Sequence, residues 1–225
     1  MMQAAPAIAP PPLRGIPTFL GAPIAELEEL RPGDVALLGL FLDHGDSSRF
    51  GKRFAARQLR YASALACLRP PDGPRGRCLD LGDLNVFPLE PARQAAAFIR
   101  QLGAVAETGA PPIVVGGREL PIPVSRCLPD GCARDVRLPG YPPIAGSAPI
   151  ALVVDLSPLF ASFAVPRAAS GLTDEITRIR PERIAAVHLT GFAPDLDVGG
   201  RREASLAATV LSALAAHLTG ATPCR

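Results

Sequence analysis

The sequence predicts an α/β domain of three layers, α/β/α, around a mostly parallel sheet of about five to seven strands. Two observations carry this. Apolar runs such as Val35 to Phe41 and Ile150 to Leu156 lack the alternation of a half-exposed strand and read as strands buried on both faces. Between them lie longer stretches whose apolar residues return every three or four positions, the helical spacing. Strand and helix therefore alternate, and no internal repeat interrupts them.

Taken in order, residues 1–23 read as a Pro/Ala-rich amino-terminal tail, and residues 24–220 as one domain. Met1 to Pro12 has no basic start and no uninterrupted apolar core, so it does not read as a signal peptide. Ala25 to Leu30 is a short acidic helix candidate. The turn signal Arg31-Pro32-Gly33-Asp34 launches the first strand. A polar, Gly-punctuated segment, Asp43 to Gly51, leads into a helix over Lys52 to Leu68. Cys78 to Phe87 forms the second strand. Glu90 to Glu107 forms the next helix, stopped by Gly109 and Pro111. The third strand, Pro112 to Gly116, runs into Gly117, Arg118 and Glu119.

Prolines at 121, 123, 129, 139, 142, 143 and 149 then exclude a regular helix or a central strand. Residues 121–149 read as an irregular connection. Ile150 to Leu156 restores a buried strand, and Thr173 is a candidate helix cap. Ile184 to Thr190 is the last strand and Glu203 to Leu218 the last helix. The strands thus end at Phe41, Phe87, Gly116, Leu156 and Thr190.

Composition narrows the function classes. In 225 residues, 48% hydrophobic content supplies a sizeable core, which excludes disorder throughout. The formal net charge of +2, from 23 basic and 21 acidic side chains, gives no footprint for nucleic acid or an anionic membrane. No apolar run approaches the roughly 20 residues of a membrane span. The five cysteines are odd in number and irregular in spacing, and Cys127 and Cys132 stand too far apart for a zinc knuckle. They read as reduced thiols of a cytoplasmic protein.

Several landmarks resemble, in order, those of the arginase and agmatinase (ureohydrolase) family. Asp43 through Arg60, with Arg49, Gly51, Arg53, Phe54, Leu59 and Arg60, is similar to its Arg-x-Gly-x-Arg-x-Gly-Pro…Ile-Arg segment. Asp80-Leu81-Gly82-Asp83 resembles its Asp-x-Gly-Asp strand. Pro112 to Gly117 resembles its Gly-Gly-Asp-His strand up to the glycines. Asp155 and Ser157 lie where the family has Asp-x-Asp. Gly171-Leu172-Thr173…Glu175 is similar to Gly-Gly-Leu-Thr-x-x-Glu, and Phe192 to Asp197 to its closing segment.

The resemblance implies an arginase-like fold, reduced in size, and hydrolysis of a guanidino C–N bond by water held on a pair of manganese or nickel ions. The ligand positions have changed. The metal histidine after the double glycine is Glu119, and the Asp-Ala-His-x-Asp segment has no counterpart. The second aspartate of Asp-x-Asp is Ser157, and the late glutamate aligns with Gly191. Glu119 and Asp155 remain as vestigial metal candidates, able at most to hold a hard cation weakly.

Other polar residues read as structural. Turn chemistry accounts for Asp43-His44-Gly45-Asp46, Asp80 and Asp83 cap or turn a strand end, and His188 is a satisfied core histidine. The expectation is a non-catalytic or regulatory subunit, a pseudoenzyme with no catalytic residue and no cofactor. It is expected to form a homo-oligomer, or a hetero-oligomer with an intact ureohydrolase. The alternative is a divergent manganese-dependent hydrolase of linear amidine or guanidine C–N bonds.

Overall fold

A computed structural model describes residues 16–43, 51–66, 68–87, 89–117, 123–128, 134–139, 146–160, 165–194 and 202–222. Six strands, β1 (Val35–Leu40), β2 (Cys78–Asp83), β3 (Pro112–Gly116), β4 (Arg134–Leu138), β5 (Ile150–Asp155) and β6 (Ile184–Thr190), form one sheet. Its order is β2-β1-β3-β6-β5-β4, and every pairing is parallel. The helices are α1 (Ala55–Leu65), α2 (Pro91–Glu107), α3 (Ser157–Phe160), α4 (Val165–Thr177) and α5 (Arg202–Thr219).

The two faces of the sheet are covered unequally. Leu59 of α1, Leu172 and Ile176 of α4, and Val210, Leu211 and Leu214 of α5 pack on Val35, Leu37, Ile113, Val115, Leu152, Val154, Val187 and Leu189. Phe98, Leu102 and Val105 of α2 pack on Ala36, Leu38, Leu40 and Val114 from the other side. The crossovers through α1 and α4 step across the sheet in one direction, and that through α2 steps in the other. A single crossover hand requires those directions to use opposite faces.

Around β4–β6 the two faces differ in chemistry. Register places Arg137, Val153 and His188 in one row, and Asp155 beside Thr190 in the next. Those residues point away from the α1/α4/α5 layer. The intervening positions Val136, Leu138, Leu152, Val154, Val187 and Leu189 fill it. On this face His188 and Thr190 are buried, while Arg137 is exposed and Asp155 partly so.

Four expectations change. The stretch 121–149 contains a 3-10 turn, Val124–Cys127, and strand β4. Residues 130–138 contain no proline, and an edge strand bonds a neighbour on one side only, so the prolines exclude a central strand but not this one. The sequence-based tail reaches into the core, for Phe19 and Leu20 are fully buried. The acidic helix at Ala25 to Leu30 is a single 3-10 turn, Leu27–Glu29. Thr173 lies inside α4, which begins at Val165 with Pro166 in its first turn, a position where the missing N–H costs nothing.

One ion cluster ties the first half together. Arg60 on α1 donates from Nε and Nη2 to both Asp80 oxygens, at 2.9 Å each. It also donates to Asp83 Oδ1 at 2.7 Å and to the Gly82 carbonyl at 2.9 Å. Asp80 also accepts the Phe19 and Gly82 N–H groups at 2.9 Å. The guanidinium lies 4.0 Å above the Phe19 ring. Asp80 thus turns the strand end, as expected, through the Gly82 N–H, and together with Asp83 it also supplies the anions of a clamp.

Arg60 is 12% and Asp80 3% exposed at the side chain, so cutting the pair strands a buried charge. Arg60→Met is expected to destabilise the fold by about 3 kcal/mol or more in denaturant unfolding. Arg60→Lys should recover only part, because an ammonium cannot reproduce the fork.

Asp34, at the amino-terminal edge, accepts the Arg77 backbone N–H at 2.8 Å and the Arg31 N–H at 3.1 Å. Its Oδ2 also meets Arg77 Nη2 at 2.6 Å. Burial pushes its pKa up, but the Arg77 bonds outweigh burial and hold it below the ordinary 3.8. A depressed carboxylate stabilises the fold above its unfolded-state pKa and loses that contribution as pH falls through the folded value. Asp34→Asn should therefore lower stability at neutral pH and flatten its loss below about pH 4, as followed by thermal melts across pH.

Candidate functional site

In open α/β sheets, ligands bind beyond the carboxyl ends of the strands where the strand order reverses. Here that edge is formed by the ends of β1, β3, β6 and β5. Of the residues singled out in sequence, Glu119, with Arg118 and His44, lies outside the described residues. Asp155, Ser157, His188, Gly117 and Gly191 are described, and the fold brings them to neighbouring strand ends.

The double glycine is locked to β6. Gly116 and Gly117 both have positive φ, 105° and 64°, so the chain turns sharply as β3 ends. The Gly116 carbonyl lies 2.9 Å from His188 Nε2, and the Gly117 carbonyl accepts Thr190 Oγ1 at 2.6 Å. The Gly117 N–H donates to the Lys52 carbonyl at 3.3 Å. A Cβ on Gly117 would stand 2.6 Å from Leu40 Cδ2. His188 is 3% exposed, the satisfied core histidine expected.

Asp155 is engaged at the end of β5. Its Oδ1 accepts the Ser157 N–H at 2.9 Å, and its Oδ2 lies 3.9 Å from Arg137 Nη1. Ser157 Oγ donates to the Gly191 carbonyl at 3.3 Å. Gly191 has φ +89°, and a Cβ there would fall 2.3 Å from Asp155 Oδ1 and 2.5 Å from the Ser157 nitrogen. The position aligned with the family's late glutamate therefore has no room for any side chain in this arrangement. Asp43 is occupied too, its oxygens accepting the Gly51 and Arg53 N–H groups at 3.0 and 2.9 Å.

A dinuclear metal centre needs several carboxylate and imidazole donors converging on one point. Among the described residues no three His, Cys, Asp or Glu side chains converge in this way. The whole chain has three histidines. Besides His188, His217 is also tied to a carbonyl, with Nε2 2.7 Å from Ile179 O. The described residues do not fit a metal pair, and no step through one follows from them.

Lys52 reads in sequence as compositional bias and not as a binding signal. It is 4% exposed and sits beside Gly117 at the carboxyl edge. It is the chain's only lysine, and that rarity was the available signal. Burial pushes the thiol of Cys127 up to about 11 and that of Cys78 higher still, so neither is a nucleophile at neutral pH. A cavity of about 420 Å³ opens at the opposite edge of the sheet, among Gly33, Ala106, Pro111, Pro149, Ile184 and Leu218. It lies away from the ends where the family's chemistry would sit.

Comparison with known proteins agrees with this architecture. A sequence profile described as the arginase family matches residues 33–128. No curated protein sequence matches the chain. Among solved structures, proclavaminate amidino hydrolase from Streptomyces clavuligerus superposes with a TM-score of 0.71 at 18% identity, covering 93% of this chain and 99% of that one. The agmatine ureohydrolase of Thermoplasma volcanium gives 0.64 at 17% identity, covering 92% and 95%. Formimidoylglutamase from Bacillus subtilis gives 0.63 at 13% identity, covering 97% and 96%. No helix among the described residues is long and apolar enough to cross a membrane. Profile and strand order agree: residues 33–128 match the arginase family, and the described residues carry the arginase-like fold.

Proposed function

We propose that this chain is a non-catalytic member of the arginase family, acting as a regulatory or structural subunit in the cytoplasm, in assembly with itself or with an intact ureohydrolase. One observation carries the reading. Asp155, the retained half of the family's Asp-x-Asp pair, spends one oxygen on the Ser157 N–H and turns the other toward Arg137. Neighbouring positions support it: Ser157 cannot replace a carboxylate, and Gly191 is closed by contacts around Asp155. Of the three histidines, His188 and His217 each hold a backbone carbonyl through Nε2, and neither joins a cluster of three or more possible ligands among the described residues.

The alternative is a metal-dependent hydrolase of linear amidines or guanidines, the substrates suggested by the names of its structural neighbours. It would have to assemble manganese from Glu119, His44 and nearby acids without a full family set. The two readings part on activity. Supplied with manganese, the wild-type chain is expected to release no urea from arginine or agmatine. Glu119→His combined with Ser157→Asp should not restore it, because two substitutions cannot supply the missing ligand segment. Turnover near the ordinary enzyme range, about 1 s⁻¹ or more, in either protein would overturn the non-catalytic reading.

A further inference from the structure

Helix α2 buries Phe98, Leu102 and Val105 and leaves its other flank uncovered. On that flank Ile99 is 47% exposed. Beside it a groove of about 360 Å³ runs between α2 and the Val124–Cys127 turn, lined by Ile99, Gly103, Ala104, Cys127 and Leu128. Among the described residues the crossover from β3 to β4 carries only that turn on this face, where those through α1, α2 and α4 carry full helices. Arg100, Glu107 and Arg126 border the groove. Among the described residues, none of their side chains makes an ion pair or hydrogen bond.

We infer that this flank is the contact surface for a second copy of the same chain, an inference that rests on the assembly reading above. The argument is charge complementarity. Arg100 and Glu107 stand two helical turns apart, about 10.5 Å along the axis. A two-fold axis passing between Gly103 and Ala104 lays the second α2 antiparallel to the first. It sets Arg100 against the partner's Glu107, and Glu107 against the partner's Arg100, so one surface satisfies itself twice. Gly103 and Ala104 carry little or no side chain at the crossing and let the helices approach. Ile99 supplies the apolar contact, seated against the other copy's groove. The two unpaired charges on α2 are of opposite sign and symmetrically spaced about Gly103 and Ala104, which suits a copy of this helix, while Arg126 stands on the adjoining turn.

Sedimentation velocity of the full chain over a concentration series tests this, with Arg100→Glu, Glu107→Arg and the double reversal compared. Each single reversal places like charges face to face twice, so its dimer should weaken by about tenfold or more. The double reversal should regain the wild-type dissociation constant. Unchanged circular dichroism and melting temperature confirm that the variants are folded. A wild-type dimer that both single reversals leave intact overturns this surface while the assembly reading stands. A wild-type chain that stays monomeric overturns this surface and self-assembly with it, while assembly with an intact ureohydrolase stands or falls on co-purification.

Discussion

Arg60 and Asp80 join parts of the chain that the sheet alone does not hold. The guanidinium comes from α1, the carboxylate from the edge strand β2, and the same carboxylate takes the Phe19 N–H from the amino-terminal segment. The backbone of Asp80 also pairs with that segment, through Pro23 and Ala25. Besides the clamp, β2 is held by its pairing to β1, by that short bridge and by the burial of Cys78 and Leu79. A buried pair this fully bonded fixes where α1 crosses the sheet, and so where the turn at Lys52 meets Gly117.

This clamp also explains the pattern of family landmarks. Arg60 closes the Arg-x-Gly motif and Asp80 opens the Asp-x-Gly-Asp motif, and the two meet in one ion cluster. Both motifs lie within the profile match. Their residues report the scaffold. Glu119, Ser157 and Gly191 occupy positions that report chemistry, and there the sequence departs from the family. A fold can be kept by one set of residues while another set changes, because the clamp and the sheet core do not depend on the strand-end ligands.

The strands buried on both faces were the most legible part of the sequence, because Val35 to Leu40 and Ile150 to Asp155 allow no reading but a covered parallel strand. β4 was hidden because its outward side chains Arg137 and Asp135 break the apolar run, and prolines flank it. The burial of Phe19 was hidden as well, since its partner Arg60 is distant in sequence and pairing through a guanidinium leaves no periodicity. At the site, the retained Asp155 was readable, but its hydrogen bond to Ser157 and the closed pocket around Gly191 were not. Both depend on how β5 and β6 end beside each other.

The central proposal is that the strand ends hold no metal pair, and metal content tests it most directly. Protein expressed in manganese- and nickel-supplemented medium and purified without chelator would be analysed by inductively coupled plasma mass spectrometry. The account predicts manganese, nickel and zinc far below one ion per chain. Stoichiometric manganese, nickel or zinc that survives gel filtration would contradict it.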